Sequence, residues 1–125
     1  MQAVIETGQF IRDARRLGLS DDERLEIVNR LAENPTLGDL MPGTGGARKV
    51  RFAGRGKGKS GGYRVITYYA AADVPVFLLA MISKGERTDM SKAEKNTLRA
   101  ELTEIAENYR TMMRAGIRDI RRRQR

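Results

Sequence analysis

The sequence predicts an α+β domain: a small antiparallel sheet with an N-terminal helical hairpin and a C-terminal helix, in the order βααβββα. Three observations predict it. Two serine residues with a glutamate three positions on, Ser20 with Glu23 and Ser91 with Glu94, each open a run of apolar residues at helical spacing. Between those runs lie three segments rich in β-branched and aromatic residues, separated by turn-forming stretches. A chain of 125 residues, 40% apolar, is long enough for one core and too short for two.

Residues 2 to 7 read as a short opening strand. From Gly8 to about Leu17 a helical stretch places Phe10, Ile11, Ala14 and Leu17 on one stripe. The helix that Ser20 begins carries Leu25, Ile27, Val28 and Leu31, and Asn34-Pro35 ends it. Thr36 to Gly46 is rich in glycine and turn formers and reads as a loop. Lys49-Val50-Arg51-Phe52 alternates, which puts Lys49 and Arg51 on one face of a strand and Val50 and Phe52 on the other. A Gly/Lys-rich turn over 54–62 leads to a second strand at 63–70. Val76 to Ile82 is continuously apolar, as in a central strand buried on both sides. The last helix has Leu98, Leu102, Ile105 and Tyr109 on its stripe, and Met113, Ile117 and Ile120 extend the stripe into an arginine-rich end. The helices are expected on one face of the sheet, leaving the other free for a basic site. The division expected is a domain over residues 1–109 and a helical, arginine-rich extension over 110–125.

Composition removes several chemistries. The chain has no histidine and no cysteine, so zinc sites of Cys and His, disulfides, thiol nucleophiles and Ser-His-Asp triads are excluded. No cofactor and no metal are expected. The longest apolar stretch, Val74 to Ile82, is far short of the roughly 20 residues that span a bilayer, so no membrane role is expected. No basic region precedes an apolar run at the N-terminus, so a signal peptide is not expected, and a cytoplasmic location is the default.

The net charge of +8 is unevenly placed. Arg48, Lys49, Arg51, Arg55, Lys57, Lys59 and Arg64 fall in one segment, and no Asp or Glu occurs from Leu40 to Ala72. From Arg110 onward seven arginines face the single acid Asp119. The rest of the chain has 10 basic and 15 acidic residues. Two positive segments on a negative body point to a polyanion or an acidic protein as partner. The turn at Gly58-Lys59-Ser60 imitates the end of a phosphate-binding P-loop, but Ala53 stands where the first glycine belongs and a strand follows where a helix must. Instead, the glycines let backbone amides and cations approach a phosphate chain closely.

Gly43-Thr44-Gly45-Gly46-Ala47-Arg48-Lys49-Val50-Arg51, then Gly56-Lys57-Gly58-Lys59-Ser60-Gly61-Gly62-Tyr63-Arg64-Val65-Ile66, then Phe77-Leu78-Leu79 leading to Lys84, resembles the HigB branch of the RelE/ParE toxin superfamily over roughly residues 2 to 107. The resemblance implies a ribosome-dependent endoribonuclease that cuts mRNA without metal and is held inactive by a cognate antitoxin, acidic or helix-turn-helix and HigA-like. It implies that Lys49 and Arg51 contact RNA and help deprotonate a 2′-hydroxyl. Arg64 stabilises the phosphorane-like charge, and Lys84 lies near the residue that protonates the leaving oxygen. The tyrosine that such toxins place after that last cation is missing here, where Gly85 to Met90 has no aromatic residue. Tyr68 or Tyr69 is the available substitute for base stacking.

The residues themselves fit this chemistry. In-line cleavage of RNA needs a base, an acid and cations for the developing phosphorane charge. Lysines crowded by like charges lose protons more readily than isolated ones, and arginine's fork suits two phosphate oxygens. The candidate catalytic residues are therefore Arg64 as clamp, Lys49 or Lys59 as base and Lys84 as acid. Arg48, Arg51, Arg55, Lys57, Tyr68 and Arg87 are candidates for binding RNA. Two other readings stay open: a ParE-like inhibitor of DNA gyrase on the same fold, and a non-catalytic RNA-binding module.

Overall fold

The computed structural model describes residues 1–54, 62–83 and 89–123, without the side chains of residues 119, 120 and 123. The elements follow as β1 (Val4–Glu6), α1 (Gly8–Arg16), α2 (Asp21–Glu33), β2 (Asp39–Leu40), β3 (Arg48–Phe52), β4 (Tyr63–Tyr68), β5 (Val76–Ser83) and α3 (Lys92–Arg123). The α+β class and, β2 apart, the succession of elements are as the sequence predicts. Both capping boxes form. The Ser20 hydroxyl accepts from Glu23 N–H and the Glu23 carboxylate accepts from Ser20 N–H; Ser91 and Glu94 do the same at the start of α3.

The sheet order is β1-β5-β4-β3-β2. Strands β2 to β5 pair antiparallel, whereas β1 adds to the outer side of β5 in parallel. The sheet is therefore mixed rather than wholly antiparallel, because α1 and α2 lie in the connection that follows β1. Strand β2 falls inside the segment read as a loop. Its two residues, paired with Lys49 and Arg48, carry no alternation that a sequence pattern could reveal.

Two apolar clusters lie on opposite faces. Phe10, Ile27 and Leu31 of the helical hairpin pack on Val50, Phe52, Tyr63, Val65, Val76, Leu78 and Met81. On the other face Leu98 and Leu102 of α3 pack with Ile66, Ile82, Met41 and Ala47. The expectation that all helices share one face is thus corrected. Central strands that are apolar on both sides need cover on both, and α3 supplies the second cover. A bulge fits β5 between the two covers. Ile66 pairs with Ala80 and Thr67 with Leu78, so Leu79 is the extra residue. The bulge reverses the alternation, which lets Leu78 and Met81 face the same cluster.

Beyond β1, the backbone of β5 finds its partner in a side chain. Asp13, buried on α1, accepts from Met81 N–H at 3.0 Å and from Gln9 Nε2 at 2.8 Å. At the far end, α3 is fastened by Tyr109, whose ring meets Phe77 edge-on at 6.2 Å, and by Arg110, which makes two hydrogen bonds to Asp73 of 2.7 and 3.0 Å. Past Arg110 the described side chains are exposed, including Met112, Met113 and Ile117. Among the described residues no helix is long and apolar enough to cross a membrane.

Asp13→Ala leaves the Met81 N–H buried without an acceptor, and urea unfolding should show a loss of about 1–3 kcal/mol. The Arg110 hydrogen bond, against a smaller opposing effect of burial, holds the Asp73 carboxyl below its ordinary value of 3.8. A depressed carboxyl adds stability above its unfolded value and loses it as pH falls through the folded one. The stability difference between wild type and Asp73→Asn should therefore be constant from about pH 5 to 7 and shrink towards zero below pH 3.8.

Candidate nucleic-acid interface

The β3–β4 register assembles the basic face. Val50 and Phe52, opposite Val65 and Tyr63, commit one side of both strands to the hairpin cluster. The alternation then turns Lys49, Arg51 and Arg64 to the side that α3 occupies. Arg51 pairs directly with Arg64, and Arg64 in turn with Ile82. Two guanidinium side chains thus stand as cross-strand neighbours, an arrangement of like charges that costs stability unless an anion is supplied. Arg64 is buried and Arg51 exposed. Among the described residues neither is paired with a carboxylate, although ion pairs are made by Arg24, Lys49, Lys95 and Arg110.

A cleft of about 340 Å³ opens beside them at the edge of β3, where β2 stops short; among its described lining Arg30, Lys49, Arg51 and Arg64 outnumber the one carboxylate, Asp39. Gly38 makes this edge possible. Its φ is +92°, and a Cβ there would lie 2.6 Å from the Lys49 carbonyl oxygen, so only glycine lets the chain run this close to β3. Arg30 stands with its guanidinium carbon 4.9 Å from the centre of the Phe52 ring, which carries its charge to the cleft from α2. A larger cavity, about 600 Å³, lies between α1, β5 and α3, but its lining is mainly apolar and gathers no comparable group of cations. A polyanion is therefore matched to the smaller cleft.

Lys49 lies beside Ile66, close to where α3 begins. Its ammonium is 3.5 Å from Asp89 Oδ1, and the Lys95 ammonium of α3 is 3.0 Å from Asp89 Oδ2. Partial burial raises the Asp89 carboxyl, but the hydrogen bonds from Lys95 and the Met90 N–H and the charges of Lys49 and Lys95 outweigh it, so the net shift is downward. Asp89 remains an anion well into mild acid.

The structure brings Lys49, Arg51 and Arg64 together and separates two other candidates from them. Arg48 points to the opposite side of β3 and donates to the Gly38 carbonyl at 3.1 Å. Tyr68 lies four residues along β4 from Arg64, roughly 13 Å, packed against the α3 cluster. Arg55, Lys57, Lys59, Lys84 and Arg87 fall outside the described residues. Sequence reasoning missed Lys95, Asp89 and Arg30. The capping box starts α3 at the right residue, but only the helix's place on the sheet turns Lys95 towards Lys49, and that depends on distant packing. Arg30 carries no local sequence signal that sets it apart from the other charged residues of α2.

In the comparison with solved structures, the chain is similar to a mutant of the E. coli toxin RelE in the free state, with 20% identity, a TM-score of 0.49, and coverage of 83% of this chain and 97% of that one. The family described as "RelE toxin of RelE / RelB toxin-antitoxin system" matches residues 2–124. This match takes in the arginine-rich end that the sequence resemblance left outside. With nearly its whole length covered, the chain belongs to the RelE toxin family of toxin-antitoxin systems.

Proposed function

We propose that this toxin is a ribosome-dependent endoribonuclease of the HigB-like kind, which cuts mRNA without metal and is neutralised by an acidic or helix-turn-helix antitoxin. The observation that carries the reading is the Arg51–Arg64 pair, two neighbouring guanidinium groups beside a cleft whose described lining sets four cations against the single carboxylate of Asp39, with neither guanidinium ion-paired to a carboxylate among the described residues. Such a pair is matched to a phosphodiester. A gyrase inhibitor that acts by binding has no need to concentrate charge where a phosphorane would form.

In the proposed reaction the 2′-hydroxyl oxygen attacks the adjacent phosphorus, and its proton passes to whichever of Lys49 and Lys59 stands as the neutral amine. The bond from phosphorus to the 5′-oxygen breaks, and that oxygen takes a proton from Lys84. The products are a 2′,3′-cyclic phosphate and a 5′-hydroxyl. Arg64, buried and fixed on a central strand, holds the non-bridging oxygens as their charge grows, and Arg51, Arg55 and Lys57 position the strand. The role of Lys84 rests on the sequence resemblance and those of Lys59, Arg55 and Lys57 on their place in the basic segment of the sequence, whereas those of Arg64 and Arg51 rest also on their place in the sheet.

Induction of the chain followed by mapping of mRNA 5′ ends tests the reading. Wild type should produce new 5′ ends on translated messages, and Arg64→Ala should lower the cleavage rate by about 100- to 1,000-fold, the usual cost of one transition-state donor. Growth arrest with intact transcripts would overturn it, and gyrase-dependent DNA breaks in those cells would establish the inhibitor reading instead.

A further inference from the structure

We propose that Lys49 and Lys95 form a second phosphate subsite, between β3 and the first turn of α3, which Asp89 fills when no RNA is bound. The inference rests on the proposed function for the identity of its ligand, a phosphodiester of single-stranded RNA. It starts from the convergence of two ammonium groups, from different elements, on one carboxylate at 3.5 and 3.0 Å. A phosphodiester also spreads one negative charge over two oxygens, so it makes the same two contacts that Asp89 makes.

The exposures distinguish holder from guest. The side chains of Lys49 and Lys95 are 27% and 22% exposed, and that of Asp89 is 43% exposed. The cations are set into the surface, and the anion lies over them. Asp89 is also not needed to cap α3, because the Ser91 hydroxyl and the Glu94 carboxylate already form the capping box. Among the described residues the carboxylate's further contact is with the N–H of its neighbour Met90 at 2.8 Å, which keeps it beside the pair.

Position links this subsite to the cleaving one. Lys49 and Arg51 are two residues apart on the same face of β3, a Cα spacing of roughly 6.6–6.8 Å. That is comparable to the separation of successive phosphates along an RNA strand. An RNA that puts its scissile phosphate on Arg51 and Arg64 therefore brings the next phosphate to Lys49 and Lys95. With Lys49 so engaged, Lys59 is the remaining candidate for the base. Asp89 acts here as an internal competitor, occupying the subsite until a strand with a properly spaced pair of phosphates displaces it.

The test measures binding of a short, labelled 2′-O-methyl RNA, which cannot be cleaved, by anisotropy over a range of salt concentrations. It is repeated with the same RNA programmed on ribosomes. Asp89→Asn removes the competitor and should tighten binding by about two- to fivefold, the range of an exposed ion pair. Lys95→Ala should weaken binding, lower the log–log salt slope by about 0.7, and abolish most of the gain from Asp89→Asn when the two are combined. Lys95→Arg keeps the charge and should keep the slope, which separates loss of a contact from loss of the fold. If Asp89→Asn leaves affinity unchanged or weakens it, or if Lys95→Ala leaves the slope unchanged, the pair only fastens α3 to the sheet and the proposal is overturned. Absence of RNA binding by wild type in both settings would also overturn it. Loss of the nuclease reading looks different: wild type makes no new mRNA ends, yet the Asp89 and Lys95 variants still shift RNA affinity.

Discussion

The register of β3 against β4 is the constraint on which the rest of the molecule depends. Because side chains alternate with a period of two, a slip of one residue in either strand would turn its cations, Lys49 and Arg51 or Arg64, into the hairpin cluster and expel its apolar side chains, Val50 and Phe52 or Tyr63 and Val65. Those four side chains, all buried, make the slip prohibitively costly. The core on one face thereby fixes which cations stand opposite each other on the other face. Site and core are two consequences of one pairing.

Covering both faces of a central strand pair leaves little room for charge, and the molecule resolves this by zoning along the strands. Ile66 and Ile82 serve as the floor for α3, while Lys49, Arg51 and Arg64 lie around them at the edge of the covered area. Arg64 is held between Arg51 and Ile82, buried enough to be rigid and close enough to the cleft to meet a ligand. Helix α3 thus does two things at once. Leu98 and Leu102 seal the second cluster, and one turn earlier Lys95 joins Lys49 around Asp89.

The elements were largely legible because their signals are local. Capping boxes, the helical stripes through Leu31 and Leu102 and the alternation over Lys49–Phe52 each need only a few neighbouring residues. The same alternation placed Lys49 and Arg51 on one face, and charge bookkeeping marked the segment that contains Arg64. What escaped is non-local. The parallel addition of β1, the pairing of Asp39 and Leu40 with β3, the side of the sheet chosen by α3 and the meeting of Lys95 with Lys49 all arise from contacts between residues far apart in the chain. Tyr68 shows the converse: a residue type suited to stacking on bases is used to pack against α3.

The long reach of α3 has a thermodynamic consequence. From Lys92 to Arg110 the helix is held by Leu98, Leu102, Ala106, Tyr109 and the Arg110–Asp73 pair. From Thr111 to Arg123 it runs on for about 20 Å with its described side chains in solvent. A helix of that length is marginal by itself, so this stretch owes its order to the anchored turns that nucleate it. Gly116, with open space around it, is the weakest link in that borrowed order, since glycine in a helix costs about 1 kcal/mol relative to alanine. One continuous helix therefore contains two independent levels of stability: its arginine-rich end can unwind and rewind while the sheet, and the cations mounted on it, remain folded.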